Sequence, residues 1–424
     1  MFRAMYFTFA FLLCSLLSVP LCAADATGNR LIGNVMSAGA LPHYTAVVDK
    51  KLKKIYILEI SGDTERLLES ADVMLGRAEG SKLALHDGKT PEGVYYIISH
   101  ITQKELLARY GNWGKMYGIA AYPTNYPNPI DRIMQRTGGG IWLHGFNPDE
   151  RDKPITQGCV ALLDEDLARI QKYVYIGMPI VIIDDAQMMT SAEYKATREK
   201  HLSELNRFIA AWNSADYDTF KGYVHPQYSS YSGWNAQSYL DKKRQLMAQY
   251  PNKLVKLDNV NIYRQNATTL VYDFNQFYCA DNMITYGHKK FYLVYDNGSE
   301  KLISEEMRML SATEHIKAGV DAFLADWLKV WTSADIDKYM AFYDMRFPRR
   351  AAWEESKRDL FSKSGKIAVN ISDVSHQVLG GNAIIIRFKQ DYISDINADK
   401  GMKTLVITGC PGSFKIKSED WRAR

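Results

Sequence analysis

Cysteine is scarce in this sequence, with five residues in a chain of 424. Cys14 and Cys22 lie in the apolar N-terminal segment, which leaves Cys159, Cys279 and Cys410 for the rest of the chain. Three thiols cannot all pair, so a fold held together by a set of disulfides is excluded and at least one thiol stays reduced. Whether Cys279 pairs with Cys410 stays open at this point. A reduced thiol in an exported protein favours a catalytic role.

The sequence also lacks the features of a nucleic-acid-binding protein and of a metal site. Lys and Arg total 52 against 48 Asp and Glu, so the clustered basic excess of a nucleic-acid-binding protein is missing. No HExxH sequence and no cysteine pair at metal-ligand spacing occurs, and we expect neither a metal nor another cofactor. With 46% hydrophobic and 12% aromatic residues the chain is expected to fold, and its length predicts about three domains.

Long apolar runs are limited to the N-terminus. Arg3 precedes an apolar run at 4–19, and two alanines follow at 23–24. This pattern predicts a secretory signal peptide over residues 1–24. The alternative is an uncleaved membrane anchor, for which the run is short. Cys22 raises lipidation as another alternative, although a proline and a bulky leucine precede it where lipidation sites usually carry small residues.

The first domain is predicted to be mainly β. After an N-terminal extension at residues 25–44, residues 45–186 contain alternating or short apolar runs that are typical of strands. The predicted elements are a hairpin over His43–Ile60, strands at Val94–Ile98 and Ile141–Leu143, a helix over Asp164–Tyr173 and a buried strand at Pro179–Ile183.

The C-terminal half contains an internal repeat. W-N-S-A-D-Y-D at 212–218 matches W-T-S-A-D-I-D at 331–337, and F-N-Q-F-Y at 274–278 matches F-K-Q-D-Y at 388–392. Each copy begins with an amphipathic helix after a predicted capping box, which runs from Thr190 to Glu193 in the first copy and from Ser311 to Glu314 in the second. Two α+β units are therefore predicted, at residues 187–310 and 311–424.

Each unit resembles the nuclear transport factor 2-like (NTF2-like, or SnoaL-like) fold, a cone in which helices pack against a curved antiparallel sheet. His225, His288 and His376 do not correspond between the copies, and the sequence shows no shared pair of titratable groups suited to acid–base catalysis. The copies do share a Trp, a Gln and a Tyr that suit a core and a polar pocket: Trp212/Trp331, Gln276/Gln390 and Tyr278/Tyr392. We expect these units to bind a ligand or to form a homodimer, and not to catalyse.

The chemically informative stretch is IWLHGFNPDERDKPITQGCVAL, residues 141–162. His144 ends a predicted strand, and Cys159 follows after a polar loop. A thiol is a nucleophile only as its thiolate, so it needs a nearby imidazole that accepts or balances its proton. Gly158 has no Cβ and would let the backbone amides of Gly158 and Cys159 point at a developing oxyanion.

Together with Y-P-T-N-Y-P-N-P-I-D-R at 122–132 and K-T-P-E-G at 89–93, this stretch resembles the L,D-transpeptidase (YkuD-type) catalytic domain. The resemblance implies that Cys159 is the acyl-accepting nucleophile, that His144 is its base and that the backbone carbonyl of Gly145 orients the imidazole. It also implies peptidoglycan stem peptides as partners and a periplasmic location. The Y-P-T-N-Y-P-N-P-I-D-R block and the G-C-V-A sequence at 158–161 are similar to those of the Gram-negative branch of cell-shape L,D-carboxypeptidases and lipoprotein-releasing hydrolases.

Substrate contacts are predicted in the same region. Arg132 is suited to bind a substrate carboxylate while Asp131 or Asn128 bonds its amine. The alternative is a local ion pair between Asp131 and Arg132 that fixes the loop. Tyr126 and Trp142 complete the predicted substrate-binding set, and core packing beside the site is the alternative for Trp142.

The resulting hypothesis is a multidomain protein in which a mainly-β L,D-transpeptidase catalytic domain precedes two α+β, cone-shaped NTF2-like domains. In this hypothesis Cys159 attacks the carbonyl at the L-centre of diaminopimelate in tetrapeptide stems and forms a thioester. An L,D-carboxypeptidase or a lipoprotein–peptidoglycan hydrolase with the same site is the first alternative. A non-catalytic wall-binding scaffold is the second.

Overall fold

The computed structural model describes residues 30–150 and 156–423, which form an N-terminal domain (residues 43–183), a first repeat (191–310) and a second repeat (313–423). The expected signal peptide lies outside the described residues, as do Cys14 and Cys22. In the part of the chain that is described, no helix has both the length and the apolar character needed to cross a lipid bilayer.

The N-terminal part of the chain is rich in strands, as its apolar patterning predicts. The strands are β1 (Leu31–Ile32), β2 (Val35–Ser37), β3 (His43–Asp49), β4 (Lys54–Ser61), β5 (Thr64–Asp72), β6 (Gly93–Tyr96), β7 (Ile101–Thr102), β8 (Ala120–Pro123), β9 (Trp142–Phe146), β10 (Val160–Leu163), β11 (Pro179–Ile183) and β12 (Met188–Met189). The helices are α1 (Gln103–Tyr110), α2 (Pro129–Ile133) and α3 (Asp164–Ile170), with 3-10 turns at Gly111–Tyr117, Pro148–Glu150 and Gln171–Tyr173.

Two sheets enclose the core of the N-terminal domain. One has the strand order β5-β4-β3-β11-β6 and the other the order β10-β9-β8-β7. The predicted hairpin is present, because β3 and β4 pair antiparallel with His43 opposite Ile60. Strand β11 lies between β3 and β6 and is buried on both faces. Its Ile180 faces the core between the two sheets, whereas Val181 faces the first repeat, which explains the unbroken apolar run.

The two repeats have the same architecture, three helices followed by four antiparallel strands. The first contains α4 (Ser191–Asn213), α5 (Tyr217–Gly222), α6 (Ala236–Gln249), β13 (Lys253–Arg264), β14 (Thr269–Ala280), β15 (Met283–Asp296) and β16 (Ser299–Leu310). The second contains α7 (Thr313–Thr332), α8 (Ile336–Met340), α9 (Arg350–Lys363), β17 (Ile367–Val378), β18 (Ala383–Ser394), β19 (Ala398–Thr408) and β20 (Lys415–Ala423). The predicted duplication of an α+β unit is confirmed.

The two long helices begin differently. Thr190 caps α4, since its side chain accepts a hydrogen bond from the Glu193 amide and the Glu193 carboxylate accepts one from the Thr190 amide. The matching prediction for α7 is wrong. Ala312 occupies the N-cap position, and no side-chain hydrogen bond caps the helix. Ser311 lies one residue too early, and its hydroxyl accepts from the Thr313 amide instead.

The N-terminal part of the chain and the first repeat are joined by a strand pairing and by a common apolar cluster. Strand β2, from the expected N-terminal extension, pairs with β13 and extends the first repeat's sheet to β16-β15-β14-β13-β2. This sheet packs against the outer face of the five-stranded N-terminal sheet. Val47 and Tyr96 from one side and Tyr263 and Tyr292 from the other belong to a single buried apolar cluster.

A disulfide joins the two repeats. Cys279 in β14 is bonded to Cys410 in the turn between β19 and β20, across a sequence separation of 131 residues. The pairing that the sequence left open therefore exists. Cys159 carries the remaining thiol of the described residues.

Candidate active site

His144 and Cys159 are carried by neighbouring parallel strands. In the register of β9 and β10, Val160 lies opposite Leu143 and Ala161 opposite His144. Cys159 immediately precedes β10, and neighbouring strands are about 4.8 Å apart. The loop between the two residues therefore returns the chain to the strand beside β9, although His144 lies in the middle of β9 and does not end it as the sequence predicts. Residues 151–155 of this loop lie outside the described residues.

A backbone carbonyl fixes the orientation of the His144 imidazole. Its Nδ1 lies 2.7 Å from the carbonyl oxygen of Gly145. A carbonyl oxygen only accepts hydrogen bonds, so Nδ1 must carry the proton and, in the neutral ring, Nε2 carries the lone pair. The edge of the ring also packs against Tyr117, with centroids 5.2 Å apart. The arrangement gives His144 a single tautomer with a basic Nε2.

Gly145 has a packing role besides its carbonyl. A Cβ at this position would lie 2.1 Å from Oδ1 of Asp164, the first residue of α3. That same oxygen accepts a hydrogen bond from the Ile119 amide at 3.0 Å. The Asp164 carboxylate thus packs directly on the backbone that positions His144. The sequence does not mark Asp164 as a site residue. The one pattern that could have drawn attention to it is the run of acidic residues at the start of the helix.

The backbone before Cys159 is held by a threonine. The buried Thr156 hydroxyl accepts a hydrogen bond from the Gly158 amide at 3.0 Å and donates one to the Cys159 carbonyl at 2.8 Å. Gly158 has φ of 133°, and a Cβ there would lie 2.6 Å from the Lys89 carbonyl oxygen. Only glycine fits this position, because Lys89 of the K-T-P-E-G segment packs directly against it.

This turn corrects one prediction. The Gly158 amide is already used by Thr156, so in this conformation it does not point at an oxyanion. The Cys159 thiol is half-buried and donates to the Gly140 carbonyl oxygen, with Sγ and O 3.3 Å apart. Gly140 ends the glycine run that leads through Ile141 into β9, so the thiol lies against the segment that enters the strand carrying His144.

Three predicted substrate ligands are instead parts of the scaffold. Asn128 and Asp131 form a capping box at the start of α2, and Asp131 also accepts from the Tyr95 hydroxyl and pairs with Arg136 at 2.9 Å. Burial raises the pKa of the Asp131 carboxyl above its usual value. Tyr126 is buried as well, and its hydroxyl donates to a backbone carbonyl. The polar groups of all three side chains are bonded within the protein. The predicted alternative of an ion pair between Asp131 and Arg132 is wrong, because Asp131 pairs with Arg136.

Comparison with protein families agrees with these features. The L,D-transpeptidase catalytic domain family (YkuD) matches residues 43–182. The family of the Cds6 C-terminal NTF2-like domain matches twice, at residues 200–306 and 319–420. The chain carries an L,D-transpeptidase catalytic domain followed by two NTF2-like domains. Within the curated proteins, no sequence matches it significantly.

Solved structures share this fold. Bd1075 of Bdellovibrio bacteriovorus is 24% identical, with a TM-score of 0.59, and the match covers 66% of this chain and 99% of that one. The helical cell shape determining protein Pgp2 of Campylobacter jejuni is 21% identical, with a TM-score of 0.53, and the match covers 65% of this chain and 95% of that one. About a third of the present chain therefore lies outside each match.

Two predicted residues lie at the margins of the L,D-transpeptidase domain. Arg132 is exposed, donates to the Pro127 carbonyl, and approaches Glu306 of the first NTF2-like domain at 3.8 Å. It lines a cleft of about 560 Å³ between the two domains, which leaves it accessible to a ligand. Trp142 is half-buried beside His144 and packs on Tyr117 with centroids 4.8 Å apart. Its place favours the core-packing alternative.

The NTF2-like domains correct another expectation, because they do share titratable groups. Two lysines and a glutamate recur exactly 114 residues apart on corresponding elements: Lys243/Lys357, Lys289/Lys403 and Glu305/Glu419. The shared tryptophans are buried beside them, and both shared glutamines have a buried side-chain oxygen without a hydrogen-bond partner in the described residues. The comparison of histidines and aromatics alone missed these charges.

Proposed function

We propose that this protein is an exported peptidoglycan-processing enzyme that uses Cys159 as its nucleophile. The observation that carries the proposal is the His144 hydrogen bond to the Gly145 carbonyl, which leaves a basic Nε2 on the strand next to Cys159. Nε2 takes the Sγ proton, and the thiolate attacks the carbonyl at the L-centre of diaminopimelate in a tetrapeptide stem. The bond to D-alanine breaks, His144 returns the proton to the leaving amine, and a thioester remains.

The fate of the thioester distinguishes the candidate activities. An amine from a second stem peptide gives L,D-transpeptidation, which is our first proposal. Water gives L,D-carboxypeptidation or, with a lysyl leaving group, release of a wall-bound lipoprotein. The similarity to Pgp2, which is described as a helical cell shape determining protein, supports a role of this protein in cell shape.

Export to the periplasm is part of the proposal. A disulfide between Cys279 and Cys410 is stable in an oxidising compartment and rare in a reducing one. A signal peptide over residues 1–24, which are outside the described part, would bring the chain there. Homodimerisation through the NTF2-like domains is a further proposal that size-exclusion chromatography with light scattering tests.

The decisive experiment incubates the chain from residue 25 onward with disaccharide tetrapeptides and reads product masses. Cross-linked dimers indicate transpeptidation, and tripeptides that have lost D-alanine indicate carboxypeptidation. We expect Cys159→Ser and Cys159→Ala to abolish either product, because an unactivated hydroxyl does not replace the thiolate. Gln157→Ala, an exposed neighbour in the same loop, is the matched control and should keep full activity.

Wild-type turnover by Cys159→Ser would refute the nucleophile assignment. An inactive wild-type protein that still sediments with purified sacculi would instead support the wall-binding scaffold.

A further inference from the structure

A loop over residues 82–89 of the L,D-transpeptidase domain contains a buried ion pair. Nζ of Lys82 lies 2.8 Å from Oδ1 of Asp87 and also donates to the Ala84 carbonyl oxygen at 2.9 Å. The Lys82 side chain is 4% exposed and that of Asp87 is 16% exposed. Because lysine is rarely buried unless it is paired, the loop keeps Lys82 inside only by holding Asp87 beside it.

The Asp87 carboxylate also organises the backbone of this loop. Its Oδ2 accepts hydrogen bonds from the Leu83 amide at 2.8 Å and the Ala84 amide at 3.0 Å, and its Oδ1 accepts one from the Lys89 amide at 3.1 Å. Burial raises the pKa of this carboxyl, but the amides and the Lys82 ammonium lower it by more, so the net shift is downward. One charged carboxylate therefore joins the beginning of the loop to its end.

The beginning of the loop packs on the glycine run that precedes β9. The Leu83 carbonyl accepts a hydrogen bond from the Thr137 amide at 3.1 Å, and the Thr137 hydroxyl accepts one from the Leu85 amide at 3.1 Å. The stem of Lys82 lies against the next residue, since a Cβ at Gly138 would be 3.0 Å from Lys82 Cε.

The glycine run depends on such contacts for its shape. Gly138 and Gly140 have positive φ values of 97° and 68°. Glycine reaches both signs of φ with similar ease, so the run has many conformations open to it. The carbonyl oxygen of Gly140 accepts the hydrogen bond of the Cys159 thiol. The loop therefore helps to determine where the acceptor of that thiol lies.

The end of the loop packs on the backbone just before Cys159. A Cβ at Gly158 would lie 2.6 Å from the carbonyl oxygen of Lys89, and the amide of Lys89 is bonded to Asp87. The loop thus contacts both segments that border the thiol, and one ion pair joins its two ends.

We propose that Lys82 and Asp87 are positioning residues for the Cys159 thiol. They act through the glycine run and the turn at Gly158, and they fix the thiol for reaction with the imidazole of His144. Burying an ion pair removes both charges from water, so the pair is a poor source of stability, and the single loop conformation that it imposes explains its presence. The functional meaning of this inference rests on the proposed role of Cys159.

Hydrogen–deuterium exchange measures the positioning directly. The variants are Lys82→Met and Asp87→Asn in the full chain, and their melting temperatures show that they are folded. We expect each to speed exchange at the Thr137 and Gly158 amides by about tenfold or more. Lys54→Met breaks an exposed ion pair in the same domain and is the matched control, which should leave both amides unchanged. Unchanged exchange in the two variants would overturn the proposal.

The pH profile of Cys159 alkylation by iodoacetamide tests whether the positioning serves the thiol. An activated thiol reacts at a pH well below the pKa of about 8.5 of an ordinary one. We expect Lys82→Met and Asp87→Asn each to slow alkylation at pH 7 by about tenfold and to move the midpoint toward that of an ordinary thiol. The double variant should be no slower than the slower single variant, because the two residues act as a unit. An unchanged profile, or losses that multiply in the double variant, would overturn the proposal.

Steady-state kinetics separate this inference from the proposed activity. In the active enzyme we expect Lys82→Met to lower kcat, while KM for the tetrapeptide stays within about twofold, because the pair orients the thiol and does not touch the substrate. An active wild-type enzyme whose kcat is unaffected by Lys82→Met would overturn the positioning role and keep the activity. An inactive wild-type protein with faster exchange in both variants would refute the activity and keep the positioning role.

Discussion

At the residue scale, Thr156 is the side chain whose removal should most directly disturb the turn before Cys159. Thr156→Val keeps the shape but loses the bonds to the Gly158 amide and the Cys159 carbonyl. At about 1 kcal/mol for each bond, we expect roughly ten- to hundredfold slower turnover and slower alkylation of Cys159 by iodoacetamide. Thr156→Ser retains the hydroxyl and is the matched control. Unchanged alkylation in Thr156→Val would mean that the turn does not depend on these bonds.

The same scale shows what sequence could and could not predict about the site. A histidine in a predicted strand and a cysteine after a returning loop are a weak signal alone, and only together with the motifs that resemble the L,D-transpeptidase domain do they predict that the two residues lie together. Asn128 and Asp131 were misassigned because the side chains that bind amines and carboxylates also cap helices. Their spacing of three residues, with a proline at the first helical position between them, was the available signal for a cap.

At the element scale, the two long helices of the repeats provide a matched pair. Removing the cap of α4 by Thr190→Ala should destabilise the protein by about 1 kcal/mol, since an orphan amide loses its acceptor. Ser311→Ala, at the corresponding place before α7, should change stability by less than about 0.5 kcal/mol because that side chain does not cap the helix. Urea denaturation of both variants measures the difference. Equal losses would contradict the assignment of the N-caps.

The sequence predicts whether a segment forms a helix or a strand better than it predicts which strands pair with each other. The run Pro179–Ile183 predicts a buried strand, but nothing in it specifies that it lies between β3 and β6. Strand β2 has three residues, and its partner β13 is more than two hundred residues away, so local patterning carries no information on the pairing. The repeated lysines were missed for a related reason. Charged residues usually indicate a solvated surface, and their burial becomes visible only once the sheet is folded.

At the scale of the whole molecule, the disulfide between the NTF2-like domains should contribute strongly to stability. Closing a loop of 131 residues reduces the freedom of the unfolded chain, and native disulfides of this kind contribute about 3–5 kcal/mol. We expect the Cys279→Ser/Cys410→Ser variant to melt at a lower temperature than the wild-type protein. Dithiothreitol should lower the wild-type value to that of the variant and leave the variant unchanged.

The same bond determines which thiols can react in the folded protein. In the folded, oxidised protein we expect iodoacetamide to label Cys159 within the described residues, because Cys279 and Cys410 are bonded to each other. After denaturation and reduction, mass spectrometry should find label on all three. Labelling of Cys279 in the oxidised protein would show that the bond is incomplete, and Cys159→Ser provides the blank.

The pairing of β2 with β13 also has a consequence for biogenesis. Ser37 leaves the ribosome more than two hundred residues before its partner Asn261, so this sheet cannot be completed while the early part of the chain emerges. Until the first NTF2-like domain has been synthesised, the L,D-transpeptidase domain would expose the apolar face that later packs against it. A chain that crosses a membrane from its N-terminus would therefore need protection from aggregation on the far side, where a periplasmic chaperone can meet it.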